Sequence, residues 1–271
     1  MYCQIAQVSR SGYYKWLNGD NDSKDEADIK LIKEIFEKGK KKLGWRSVQM
    51  KLKSDYETIM NHKKIKRIMR ETGLRTRIRK KNPYRMIMKK TQEHRIFDNL
   101  LNRQFEQTIP GRVLCTDITY LYYGYGRKAY LSVIKDVATK EIVSWQLSNN
   151  LTMKFVLDSI DALDSINTVN SKTIIHSDQG FHYTNPEYVR KVKALKLIQS
   201  MSRKGNCIDN APIESFFGHF KDDLDYKWAS SYEELREMTK NYMHYYNHKR
   251  YQWNLKKMAP VEYRNHLLQA V

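Results

Sequence analysis

Apolar residues repeat at helical spacing over the first third of the chain and largely at strand spacing in the middle. From Asp28 onward, Ile29, Ile32, Ile35 and Phe36 share one face of a predicted helix, which the run Lys38-Gly39-Lys40-Lys41-Lys42 ends. A second short helix is expected over about 47–54. A third starts at Asn61, whose side chain can accept from the N–H groups of the first turn, and stops at Gly73, which tolerates the backbone of a helix end. Ile65, Ile68 and Met69 then face inward, and Lys63, Lys64, Lys66, Arg67 and Arg70 outward. Residues 9–17 can form a short aromatic-bearing helix, followed by a break over Asn18-Gly19-Asp20-Asn21-Asp22-Ser23.

Pro110-Gly111 opens a different pattern. Val113 to Tyr123 is rich in β-branched and aromatic residues, Gly124-Tyr125-Gly126 supplies a turn, and Lys128 to Val137 and Ile142 to Leu147 continue as strands. This predicts a three-strand meander. A helix follows on Met153, Val156, Leu157, Ile160 and Leu163, then a short strand Thr173-Ile174-Ile175-His176, a helix near 186–194 and a brief strand at Leu197-Ile198. Three antiparallel strands followed by alternating helix and strand predict a mixed five-stranded sheet with helices on its faces. Asp209 or Asn210 can cap a further helix that Pro212 starts, with Ile213, Phe217, Phe220 and Leu224 as its buried stripe. Ser231 with Glu234 forms a capping box for a last helix whose Leu235, Met238, Tyr242 and Tyr245 share a face.

The expected organisation is α/β: an N-terminal helical tail at 1–22, a small all-α helix-turn-helix-like domain at 23–81, a linker at 82–105, and a core with C-terminal helices at 106–271. Charge sharpens it. The net charge is +19, and residues 1–105 carry 27 basic against 12 acidic side chains, whereas 106–271 carry 22 against 18. A surplus of this size favours a polyanionic partner, and its place suggests that the first part grips nucleic acid. A solvated charged face is the plain alternative for the third helix, but Arg75, Arg77, Arg79, Lys80 and Lys81 continue the same sign and favour DNA contact through Lys63, Lys64, Arg67 and Arg70. No apolar run approaches the roughly 18 to 20 residues of a membrane span, and no signal peptide opens the chain, so a soluble cytoplasmic protein is expected. Cys3, Cys115 and Cys207 are far apart and lack zinc spacing, which suggests buried free thiols.

Three acids stand out. Asp117 lies inside an otherwise apolar strand, where a lone buried carboxylate is costly unless it is paired, hydrogen-bonded or metal-bound. Asp178 follows the end of the strand at 173–176, and strand ends of open α/β sheets border ligand crevices. Glu214 falls in the opening turn of its helix beside the buried stripe, with Lys221 on the same side, so one face offers a metal ligand and a phosphate-seeking cation. Any one of these acids alone reads equally well as a capping or solvated carboxylate. His176 is better read as a structural histidine than as a catalytic one. The tyrosines of 232–246 fit core packing better than base stacking. No G-x-S-x-G elbow for a serine hydrolase occurs.

The stretches Cys115-Thr116-Asp117-Ile118-Thr119-Tyr120, His176-Ser177-Asp178-Gln179-Gly180 with Tyr183-Thr184, and Ser202-Arg203-Lys204-Gly205-Asn206 through Phe217 resemble the catalytic core of the OrfB transposases of the insertion sequence three family, relatives of retroviral integrases. The 35 residues between Asp178 and Glu214 match the spacing that names these enzymes. Gly12-Tyr13-Tyr14-Lys15-Trp16, Leu43-Gly44-Trp45-Arg46, Tyr246-Asn247-His248-Lys249-Arg250 and Ala259-Pro260-Val261-Glu262-Tyr263 resemble flanking segments of the family. Leu43-Gly44-Trp45 departs from the more usual Tyr-Gly-Tyr, and Phe181-His182 stands where a small residue and Gln are common.

The resemblance implies a ribonuclease H-like fold whose first and fourth strands are adjacent, bringing Asp117, Asp178 and Glu214 together around two Mg²⁺ ions, with Mn²⁺ able to substitute. It implies metal-dependent cleavage and strand transfer at insertion sequence ends; Arg203, Lys204 and Lys221 are candidates for holding the phosphates, and Gly205 for letting the backbone pass close to them. It further implies element-end and target DNA as partners, a homo-oligomer on DNA, and an upstream-frame OrfA protein or fusion that supplies end recognition. Two rival readings are a non-catalytic DNA-binding regulator and a metal-dependent nuclease without strand transfer.

Overall fold

The computed structural model describes residues 9–17, 25–77, 97–166 and 169–269. The chain divides into two compact units, Met1–Arg77 and Ile78–Val271. The first contains α1 (Arg10–Leu17), α2 (Glu26–Lys38), α3 (Trp45–Asp55) and α4 (His62–Glu71). Ile32, Ile35 and Phe36 of α2, Val48 and Leu52 of α3, and Ile65 and Ile68 of α4 form its core, the faces that the helical periodicity assigns. Both ends of α4 follow their local chemistry. The Asn61 carboxamide accepts from the Lys63 N–H at 2.9 Å, and Gly73 takes a φ of 68° just past the end. Lys40 and Lys41, at φ 51° and 62°, turn the chain away after α2.

The second unit runs β1 (Val113–Tyr123), β2 (Arg127–Asp136), β3 (Ile142–Ser148), α5 (Met153–Asp161), β4 (Ile174–Ser177), α6 (Phe181–Thr184), α7 (Pro186–Ala194), β5 (Ile198–Met201), α8 (Ala211–Asp223), α9 (Tyr232–His248) and α10 (Pro260–Gln269). The sheet order is β3-β2-β1-β4-β5, with β1, β2 and β3 antiparallel and β4 and β5 parallel to β1. This is the expected mixed five-stranded sheet with the first and fourth strands adjacent. Each face has its own core, because strand side chains alternate. Val113, Cys115, Leu121 and Tyr123 of β1 join α8 and α9 on one face, and Leu114 joins α5 and α7 on the other. Among the described residues no helix is long and apolar enough to cross a membrane.

Several details differ from the expected ones. The stripe of α8 is Ile213, Phe216, Phe217 and Phe220; Phe216 meets Tyr246 of α9 edge to face at 4.8 Å, and Leu224 is only partly buried. Neither Asp209 nor Asn210 caps α8 with its side chain. Ser231 caps α9 by accepting from the Glu234 N–H at 3.0 Å, and the Glu234 carboxylate turns back on the chain ahead of the helix, accepting also from the Ser230 N–H at 2.7 Å. Residues 97–105, assigned to the linker by pattern, pack on the second unit: Leu101 is buried, and the Leu100 N–H donates to the Ser200 hydroxyl. Residues 82–96 and Cys3 lie outside the described residues. Cys115 is a buried free thiol, pushed up to about 12 by burial.

Candidate functional site

Asp117 is half-buried on β1, on the face that carries α8. β1 and β4 pair in parallel with Val113, Leu114 and Cys115 opposite Ile174, Ile175 and His176. Continued two residues beyond its last pair, that register sets Asp117 on β1 level with Asp178 just past β4. The phenol of Tyr183 on α6 reports both acids. Its pKa is raised well above the ordinary value, first by burial and then by the negative fields of Asp117, Tyr188 and Asp178.

Each carboxylate is oriented by a backbone N–H. The Ile118 N–H donates to Oδ1 of Asp117, and the Gly180 N–H to Oδ1 of Asp178, both at 2.8 Å. A Cβ on Gly180 would stand 2.7 Å from Oδ1 of Asp178, so the bare backbone leaves room for the acid. Asp117 is thus not the isolated buried charge that its apolar strand suggests. That description fits Asp136, 3 % exposed at the end of β2, which accepts from the N–H groups of Gly111, Ala138 and Thr139. Burial still raises its pKa, and it serves the β2–β3 turn.

α8 is moored to β1 on either side of Asp117. The Asn210 carboxamide donates to the Thr116 carbonyl at 3.3 Å, and the Lys221 ammonium donates to the Thr119 hydroxyl. Lys135 of β2 reaches the Pro212 carbonyl at 3.0 Å. Glu214 therefore rides in the first turn of a helix laid along the strand of Asp117, and its side chain is exposed. Among the described residues no three His, Cys, Asp or Glu side chains form a ready-made metal site. Two neighbouring carboxylates are nevertheless the donor set with which Mg²⁺ is commonly held, substrate phosphate oxygens and water completing its shell.

The loop before α8 holds the ion-pair cluster that sequence reasoning missed. Asp209 is fully buried; Arg203 grips it with Nε and Nη2, each at 2.9 Å, and with its own N–H at 3.1 Å. Arg103 Nε donates to Asp209 at 2.6 Å, and the Asn99 carboxamide at 3.1 Å. The Arg203 bonds, followed by those of Arg103, hold the Asp209 carboxyl far below the usual carboxylate range. Arg203, expected to meet phosphate, is thus engaged by Asp209, while Lys204 beside it is exposed and Gly205 has a φ of 77°. The helix start Asp209-Asn210-Ala211-Pro212-Ile213-Glu214 carries no local signal for partners at Asn99 and Arg103. His176 is fully buried, with Nδ1 2.9 Å from the Ser200 hydroxyl, and burial lowers its pKa to about 4. It is neutral and structural, as expected.

In the first unit, Lys63 and Arg70 of α4 are exposed. Lys64 instead pairs with Asp25 at 2.7 Å and with Asp28, and Arg67 pairs with Asp25 and with Glu71 at 3.1 Å. Lys66 lies 4.3 Å from the Trp45 ring centroid. Part of the basic face is therefore balanced by α2, which periodicity alone cannot reveal.

An HTH-like domain family matches residues 23–82, and two integrase core domain families match residues 107–207 and 214–268. A protein of Escherichia coli K12 named for transposition, InsK of insertion sequence element IS150, is 34 % identical over 97 % of this chain and 92 % of its own length. A transposase-like protein of Haemophilus influenzae is 39 % identical over 78 % of this chain and 97 % of its own. Among solved structures, a chain of the simian T-cell lymphotropic virus intasome in complex with PP2A regulatory subunit B56 gamma is 15 % identical, covering 80 % of this chain and 74 % of its own, with a TM-score of 0.50. A five-stranded sheet with acids level on its first and fourth strands, preceded by an HTH-like unit, agrees with these matches, and the chain belongs to the transposases of the insertion sequence three family.

Proposed function

We propose that Asp117 and Asp178, with Glu214 as the third acid, are the catalytic carboxylates with which this transposase cuts DNA and transfers the freed strand, and that they hold Mg²⁺, two ions at full occupancy, with Mn²⁺ as a substitute. The observation that carries the reading is the β1–β4 register, which levels Asp117 with Asp178, together with the single phenol of Tyr183 that feels both. When bound, the metal supplies charge neutralisation for an in-line phosphodiester displacement and a more acidic attacking water or 3′-hydroxyl. The rest falls to the chain. The N–H groups of Ile118 and Gly180 fix the carboxylates before substrate arrives, so little reorganisation accompanies reaction. Mooring of α8 at Thr116 and Thr119 fixes the helix that carries Glu214 along the strand of Asp117. Lys221 and Lys204 meet phosphate oxygens, whereas Arg203 shapes the loop through Asp209.

Lys63 and Arg70 of α4 are the leading DNA contacts in the first unit, with Lys64 and Arg67 available only in competition with Asp25 and Asp28. A homo-oligomer on DNA, joined by an upstream-frame OrfA protein or fusion that supplies end recognition, completes the assembly. Asp178→Asn tests the acids: strand cutting is lost while DNA binding persists. A variant that cuts as fast as the parent sinks the assignment. Mn²⁺ binding followed by calorimetry should weaken strongly in Asp117→Asn, a readout independent of turnover. A non-catalytic regulator would show no metal binding in either protein, and a simple nuclease would cut without joining strands to a target plasmid.

A further inference from the structure

Five of the 19 tyrosines fall between residues 118 and 135, the hairpin formed by β1 and β2, and this segment contains no Asp or Glu but includes Arg127, Lys128 and Lys135. Tyr120 pairs across the strands with Tyr130, and Tyr122 with Lys128. All four side chains share one face, since cross-strand partners point the same way. The Tyr120 and Tyr130 rings meet edge to face at 5.3 Å. The Lys128 ammonium lies 5.5 Å, 5.8 Å and 5.7 Å from the ring centroids of Tyr120, Tyr122 and Tyr130. Cross-strand aromatic pairing stabilises a hairpin, but it does not require the rings to be left open to water. Here Tyr120 is 40 % exposed and Tyr122 55 %, and Tyr125 at the tip is fully exposed. Scattered exposed aromatics need no explanation, whereas several grouped around one cation do.

The hairpin is also held still. The Gly124 N–H donates to the Lys227 carbonyl at 3.0 Å, Arg127 donates to the Ser230 carbonyl, and Arg127 lies 5.1 Å from the Tyr123 ring. The turn that moors the tip presents Trp228, 85 % exposed. Rigid rings bind with little further loss of freedom.

We propose that this hairpin face is a binding platform for unpaired DNA, in which Tyr122, Tyr120 and the tip aromatics stack on bases and Lys128 meets the backbone phosphate. Flat π-faces around an ammonium, on a segment without acids, suit a polyanion that carries its own rings. At about 3.3 Å per residue, Tyr120 and Tyr122 lie roughly 10 and 17 Å along β1 from Asp117 but, by strand alternation, on the opposite face of the sheet, so the platform is a surface separate from the acids. The inference rests on the reading of this chain as a DNA-cutting transposase, and adds a surface for unpaired DNA on the sheet face opposite Asp117.

The test uses the full chain and two fluorescent probes, a short oligothymidine and a blunt duplex. Tyr122→Leu keeps an apolar strand residue and removes the ring. It should weaken oligothymidine binding about 5- to 150-fold, the loss of one stacked base, and leave duplex binding within about twofold. Tyr122→Phe should bind like the parent. Lys128→Gln should lower the salt dependence of oligothymidine binding by about 0.7 in log–log slope. Equal oligothymidine affinity in Tyr122→Leu and parent overturns the proposal. So does a changed oligomeric state in Tyr122→Leu with unchanged oligothymidine binding, which would assign the face to a second copy of the chain. If Asp178→Asn abolishes cutting while Tyr122→Leu binds normally, the platform fails and the acids stand.

Discussion

Replacing Asp209 with Asn removes the charge but keeps the shape at the most heavily bonded carboxylate of the second unit. Asp209 has no exposed surface, whereas the Arg103 and Arg203 side chains are 40 % and 53 % exposed. Breaking a buried ion pair typically costs about 3–5 kcal/mol, because the remaining partner keeps an uncompensated charge. Both guanidinium groups can rehydrate here, so the lower end applies, about 3 kcal/mol. The unit runs from Ile78 to Val271. For a domain of that size the loss is worth about 6 to 12 °C in Tm. Thermal unfolding followed by circular dichroism reads it directly.

The pH profile adds a second check. Arg203 above all, then Arg103, depresses the folded-state pKa of Asp209. Its stabilisation is therefore fully present above the unfolded value of about 3.9, and is lost as pH falls through the folded value. The difference between parent and Asp209→Asn should stay flat from about pH 5 to 8 and narrow below about pH 4. A Tm within about 2 °C of the parent at neutral pH would refute the assignment of this cluster as a structural clamp.

His176 gives the opposite kind of profile. Burial lowers its pKa to about 4, so between about 4 and 6.5 the unfolded chain binds a proton that the folded chain refuses. Stability should fall by up to about 3 kcal/mol as pH drops through that window, and urea unfolding of His176→Gln should show a shallower fall. Gly180→Ala should spare Tm, since φ is −66° there, yet slow cutting about a hundredfold because the new Cβ meets Oδ1 of Asp178. Normal cleavage by that variant would show that the position of Asp178 tolerates displacement. Asn61→Ala should cost about 1 kcal/mol in the first unit by removing the cap of α4, measurable by urea unfolding.

Local chemistry made most elements legible. β1 was readable over its full length because a stretch rich in β-branched and aromatic residues lies between Pro110-Gly111 and Gly124. α4 was readable because Asn61 and Gly73 punctuate an unambiguous period. The adjacency of the first and fourth strands came from family resemblance, not from pattern. What stayed hidden is non-local. Asp209 beside a helix start looks like a cap, and its partner Arg103 is 106 residues away in the chain. Lys64 and Arg67 look like a solvent-facing or DNA-facing row until α2 brings Asp25 against them. α6 is a single turn, too short for any periodicity to show. Phe216 was left off the buried stripe because α8 buries two adjacent positions, between the sheet and α9.

The parallel pairing of β1 with β4 joins Cys115 to His176, 61 residues later in the chain. Ribosomes add about 5–20 residues per second, so the hairpin of β1 and β2, complete at Asp136, waits roughly 2 to 8 s for Asp178. Throughout synthesis of that stretch the nascent polypeptide has its HTH-like unit but only half of its acid pair. On the proposed assignment of the acids and of the basic first unit, a product that stops before β4 would occupy DNA without nicking it, so premature termination would yield a competitor of the complete form.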